Sequence, residues 1–140
     1  MNVLDAWQAV LAGEHEAMYG YGIVGGRLGP QDPRARAAID AHRTIRSACI
    51  VAIKELGAVP VAAAPAYSGA IPPDDEAAEA LAADIEGRCS FGYLQLVGNQ
   101  DQTTEAGKVA KEQGTVWLQA SAHAQWRWNE QIPSWPGYEG

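Results

Sequence analysis

The stretch "GEHEAMYGYGIVGG", residues 13 to 26, decides the fold, because it supports two incompatible readings. Within it G-Y-G-I-V-G satisfies the GxGxxG spacing of a dinucleotide-binding loop, and directly ahead stand Glu14, His15 and Glu16. A dinucleotide loop has to follow a strand and open a helix inside a βαβ unit. Here the glycines come late in a helical pattern instead. Leu4, Trp7, Leu11, Met18, Tyr21 and Gly25 recur at helical spacing, with Glu14 filling the step between Leu11 and Met18. That period marks one face of a long helix over residues 3 to 28, so the GxGxxG match is accidental. Each glycine costs a helix about 1 kcal/mol relative to alanine. Close approach of another helix is the simplest compensation.

Working outward, "QDPRAR" signals a second helix start, with Asp32 as cap and Pro33 at the first helical position. Its seam runs Ala35, Ala38, His42, Ile45, Cys49, Ala52 and Leu56, and Gly57 ends it. Only "GPQ" separates these helices, which makes them antiparallel neighbours. The Pro-, Ala- and Gly-rich segment 57 to 73 has no helical period. Extended, it reaches about 55 Å, against about 38 Å for a helix of about 25 residues, so it can run the length of a bundle. A third helix, 75 to 97, is capped by Asp74 or Asp75 and carries Ala78, Leu81, Ala82, Ile85, Cys89, Gly92 and Leu96, with Glu86 at the stripe's edge. A fourth, 103 to 129, places Ala106, Val109, Val116, Ala120 and His123 on one face, with Gly107 and Gly114 as candidate bend points. In the tail, 130 to 140, Trp135 and Tyr138 suggest docking on a surface.

Short, long and short connections between four helices predict a single all-α domain over 1 to 140, a bundle with one long crossover between helices 2 and 3, which is the ferritin-like topology. A chain of 140 residues buries roughly 70% of its unfolded surface and needs no staple. The net charge of −7 argues against nucleic-acid and anionic-membrane partners. Cys49 and Cys89 lie in apolar patterns without zinc spacing and read as free buried thiols. "MNVLDAWQAV" lacks the features of a signal peptide, and no apolar run has membrane-spanning length, so the expected location is the cytoplasm.

Each helix carries one candidate ligand on or beside its apolar face: Glu14, His42, Glu86 and His123. Inward carboxylates and imidazoles from four helices build carboxylate-bridged di-metal centres, with a Glu from each of two helices and Glu-x-x-His from each of the others. The histidines fit that pattern. The glutamates that should precede them do not, since Ile39 and Ala120 stand three residues ahead of His42 and His123.

"LAGEHEAMYGYGIVGGRL" at 11 to 28, "AHRTIRSA" at 41 to 48, "APAYS" at 64 to 68 and "AQWR" at 124 to 127 resemble the ferritin-like domain family of unknown function common in actinobacteria, over nearly the whole chain. The resemblance implies a dimeric ferritin-like bundle with no established activity and supplies no catalytic residue.

Two readings of the ligand set follow. In the first, Arg46, one turn beyond His42, replaces the metal charge and joins Glu14, His42 and Glu86 in a buried polar network. The protein is then a cofactor-free, non-catalytic, self-associating module. In the second, Glu14, His42, Glu86 and His123 hold iron, manganese or zinc in a minimal oxidoreductase. Around these candidates, His15 reads as surface, Glu16, Glu79 and Asp84 as solvated, and Tyr19, Tyr21 and Tyr93 as core. Trp126 and Trp128 flank Arg127 as a cation-π clamp. No nucleophile elbow or Cys/His signature is present.

Overall fold

The computed structural model describes residues 1–67 and 69–129, which form four α-helices. The expected docking of Trp135 and Tyr138 lies outside the described residues.

Helix α1, Val3–Leu28, starts at Asn2, whose side chain accepts from the Asp5 N–H at 2.8 Å, and runs straight through the glycine-rich stretch. The glycines lie inside one continuous helix, so no dinucleotide loop forms there. Helix α2, Pro33–Glu55, is capped by Asp32 as expected. At its end Gly57 turns left-handed with φ 78°, and two crossing bonds, Gly57 N–H to Lys54 O and Ala58 N–H to Ile53 O, satisfy the last carbonyls. Helix α3, Asp75–Val97, takes Asp74 as cap. Helix α4, Glu105–Asn129, begins after a turn built on Asn99, which is 1% exposed and donates to the Leu96 and Gly107 carbonyls.

Side-chain partners fix the helix directions. Val10 meets Gly92 while Gly20 meets Ile85, so α1 and α3 are antiparallel. Arg34 reaches Glu79 and His42 reaches Glu86, so α2 and α3 run parallel. Trp7 meets Trp117 and Tyr21 meets Trp128, so α1 and α4 are parallel. Parallel α2 and α3 require the long connection to cross the bundle's length, which is the topology expected from segment 57 to 73.

That connection is held along α1. The Gln8 side-chain amide donates to Val59 O and accepts from Val61 N–H, both at 2.8 Å, and His15 Nε2 donates to Val61 O at 2.9 Å. His15 is thus a clasp for the crossover, consistent with its expected surface position.

The glycines divide by neighbour. A Cβ on Gly20 would come within 2.6 Å of Ile85 Cδ1, so α3's close approach compensates this one. Gly22 and Gly26 face open space. In α4, which remains one helix, a Cβ on Gly114 would lie 2.8 Å from the Tyr93 carbonyl oxygen, and one on Gly107 would collide with the Asp101 backbone. These two positions let the end of α3 and the following turn sit against α4.

Helix α1 packs along α2 and α3, and α3 along α4. Among the described residues α2 does not pack along α4. No helix among the described residues is long and apolar enough to cross a membrane.

Candidate functional site

Glu14 of α1, His42 of α2 and Glu86 of α3 meet at the centre of the bundle, 1%, 3% and 3% exposed. Each occupies a step that an apolar residue would otherwise fill in its helix's buried stripe. His42 lies between the carboxylates: Nδ1 is 2.5 Å from Glu14 Oε2 and Nε2 is 2.9 Å from Glu86 Oε1. The Tyr93 hydroxyl donates to Glu14 Oε1, and the Tyr21 hydroxyl donates to Glu86 Oε1 at 2.6 Å. Trp128 Nε1 donates in turn to the Tyr21 hydroxyl at 3.1 Å.

Protonation follows from this geometry. Burial opposes charge on His42, but hydrogen bonds to Glu14 and Glu86 and the charge of both outweigh it, raising the imidazole from 6.5 to about 10. At neutral pH His42 is an imidazolium that donates from both nitrogens. Burial, reinforced by the neighbouring carboxylates, pushes the Tyr21 and Tyr93 hydroxyls well above their ordinary range, so both stay protonated as donors. The Cys49 and Cys89 thiols are raised mainly by burial as well.

One metal-like grouping exists among the described residues: ligand atoms of Glu14, His42 and Cys89 lie within 4.8 Å of one another. Metal ligation needs a neutral imidazole and a thiolate. In the arrangement seen, both His42 nitrogens face carboxylates, and burial pushes the Cys89 thiol well above its ordinary range.

Three of the four candidate ligands are therefore brought together and the fourth is not. His123 is exposed on α4, because that helix buries Gly107, Ala110, Gly114, Trp117, Ser121 and Trp128. Arg46 is half-buried, and among the described residues no hydrogen bond or ion pair joins it to Glu14 or Glu86. His42 itself occupies the position between the carboxylates that was expected of Arg46. The aromatic clamp also differs from expectation, since Arg34, not Arg127, lies over the Trp128 ring, 4.8 Å from its centroid. Glu79 pairs with Arg34, and Glu16 and Asp84 pair with Arg88, at the bundle surface.

Tyr21 and Tyr93 are the cluster members that apolar periodicity undervalued. A signal for them exists: Glu14 and Tyr21 on α1, and Glu86 and Tyr93 on α3, share the spacing Glu-x6-Tyr. On antiparallel helices this spacing carries each tyrosine to the other helix's glutamate. Trp128 then backs Tyr21, and Trp117 backs Tyr93 with ring centroids 5.8 Å apart.

Beside the cluster, α2 and α4 separate around a cavity of about 290 Å³. His42, Glu86 and Tyr93 form part of its lining, together with Trp117 and Trp128.

Fold and site together define an all-helical bundle organised on a buried carboxylate-imidazolium-carboxylate cluster. The chain belongs to the family described as Domain of unknown function (DUF4439), whose model matches residues 6–140. It is similar to the crystal structure of a conserved hypothetical protein, rv2844, from Mycobacterium tuberculosis. That likeness has a TM-score of 0.75 at 27% identity and covers 90% of this chain and 93% of the other. No curated protein matches the chain.

Proposed function

We propose that this protein is a ferritin-like bundle whose metal position has been taken over by the His42 imidazolium, and that it works as a non-catalytic, self-associating helical module. One observation carries the reading: both nitrogens of His42 are engaged by carboxylates from two other helices. A cation in that place neutralises charge between helices as a metal would, without open coordination positions or a redox couple. The parallel α2 and α3, with a crossover between them, support the ferritin-like assignment. Self-association is supported by an apolar patch on the outer face of α3, where Phe91 and Leu94 are 69% and 49% exposed beside Met1.

Elemental analysis and melting curves with added iron, manganese or zinc, and with chelator, test the metal-free part. The expected result is no stoichiometric metal and an unchanged Tm, since a ligand bound only by the folded state raises Tm with its concentration. A stoichiometric metal, or a Tm that rises with metal and falls with chelator, overturns it. Sedimentation of the wild type and of Phe91→Asp tests the other part: a dimer that dissociates in the variant is expected, and a monomeric wild type refutes self-association.

A further inference from the structure

Glu86 is not used up by the cluster. Its Oε1 accepts from both His42 Nε2 and the Tyr21 hydroxyl, while Oε2 accepts no hydrogen bond among the described residues. Yet among the described residues no sealed side-chain nitrogen or oxygen lacks a partner. Oε2 therefore keeps an opening, and the space that Glu86 lines is the cavity between α2 and α4. Glu14 differs, with both oxygens occupied by protein donors.

The side-chain count points the same way: two carboxyl side chains meet a single basic side chain, His42, at the cavity floor. Arg34 and Arg127 line the same cavity. Arg34 is partly exposed and already paired with Asp32 and Glu79, and Arg127 is exposed. The pocket is thus dipolar, acidic inside and basic at the rim. Its walls are small and apolar, with Ala38 and Ala41 on α2 facing Ala120 and Ala124 on α4, and Trp117 adding an aromatic surface. At about 290 Å³ it lies at the small end of ligand pockets.

We propose that the cavity between α2 and α4 is a binding site for a small organic amine, held as its ammonium form with Glu86 Oε2 as counter-ion and its apolar body between the alanine-lined walls. An ammonium supplies the donor that Oε2 lacks, gaining a charge-assisted hydrogen bond in a sheltered site. An anion of the same shape meets the carboxylate and is repelled. A neutral alcohol supplies a donor but no charge. The inference rests on the metal-free reading of the cluster, because a metal there would compete for Glu86.

The test uses the full chain after chelator treatment, with metal content measured separately, and titrates 2-phenylethylamine, 2-phenylethanol and 3-phenylpropionate while following the indole N–H resonances of Trp117 and Trp128. The amine is expected to shift them saturably and to bind at least about tenfold more tightly than either analogue. Ala120→Leu, at an exposed position on the cavity wall, should weaken the amine by about tenfold or more while the protein stays folded. Glu86→Gln should abolish the preference for amine over alcohol wherever it folds. Absence of a saturable shift, equal binding of the three compounds, or amine binding that Ala120→Leu leaves unchanged overturns the proposal. A bound metal in the untreated protein overturns the metal-free reading instead, whatever the titration of the treated protein gives.

Discussion

The imidazole Nδ1 of His42 and the carboxylate Oε2 of Glu14 lie 2.5 Å apart, between side chains only 3% and 1% exposed. Direct contact at that range fixes a proton between α1 and α2. Its release is therefore an event of the whole bundle.

Stability should fall on the alkaline side. Burial disfavours the charged imidazole, and bonding to Glu14 and Glu86 more than reverses this, so folding raises the pKa from 6.5 to about 10. A raised pKa means that the folded state holds the proton more tightly than the unfolded chain. The contribution is complete below about pH 6.5 and is lost as pH rises through about 10. Melting temperatures from pH 6 to 10 should decline, and replacing His42 should flatten that decline. A wild-type Tm that stays level over this range would contradict the imidazolium.

His42→Ala leaves two buried carboxylates without a cation and should cost about 3–5 kcal/mol, the range for breaking a buried ion pair. Tyr93→Phe removes one hydrogen bond to a charged group and should cost about 1.5–3 kcal/mol, and Tyr21→Phe, which also strands the Trp128 indole N–H, should cost more. Arg46→Ala should stay within about 0.5 kcal/mol, as for a residue outside the buried network. Urea midpoints of these variants rank the interactions. A large loss at Arg46 would return the cation role to the arginine.

Two helical glycines, one in α1 and one in α4, predict opposite outcomes. Gly22 is exposed in mid-helix with nothing near its Cβ direction, so Gly22→Ala should stabilise by about 1 kcal/mol through helix propensity. A methyl on Gly107 would run into the Asp101 backbone, and Gly107→Ala should fold poorly or lose several kcal/mol. Thermal melts of the two variants decide the matter.

Gln8→Ala should free the crossover without unfolding the bundle. It removes both side-chain bonds at Val59 and Val61, which lie on the surface. Hydrogen exchange at the Val61 amide should accelerate by about tenfold or more, an opening of local rather than global kind. The exchange of α1 core amides such as Leu11 should be unchanged.

Helix boundaries and connectivity were legible in the sequence because caps and breakers are local. Asp32, Pro33, Gly57 and Asp74 do where they stand what their side chains dictate. Glu14 and His42 were legible as polar interruptions of apolar stripes. In helix α4 the apolar period through Ala106, Val109, Val116, Ala120 and His123 runs about one residue out of phase with the buried face, Gly107, Ala110, Gly114, Trp117 and Ser121. The reason is physical: where α4 comes closest to α3, the contact selects small residues, and hydrophobicity does not mark them. Val109 and Val116 are 48% and 57% exposed, so apolar character pointed outward. Arg46 stays outside the cluster for a related reason, since Ile45 and Cys49 show that the α2 stripe leans to the other side of His42.

The cluster also bears on the order of assembly. Glu14, His42 and Glu86 come from three helices, and the sequence separations bridged are 28 residues to Glu14 and 44 to Glu86. A hairpin of α1 and α2 can bring Glu14 to His42 early, but Glu86 arrives only when the crossover has been traversed. The full network is thus a latecomer, and interactions absent from the folding transition state act on the rate of escape from the native state. Weakening the bond between His42 and Glu86 should hasten unfolding far more than it slows folding, so this buried proton serves as a latch on the lifetime of the folded chain.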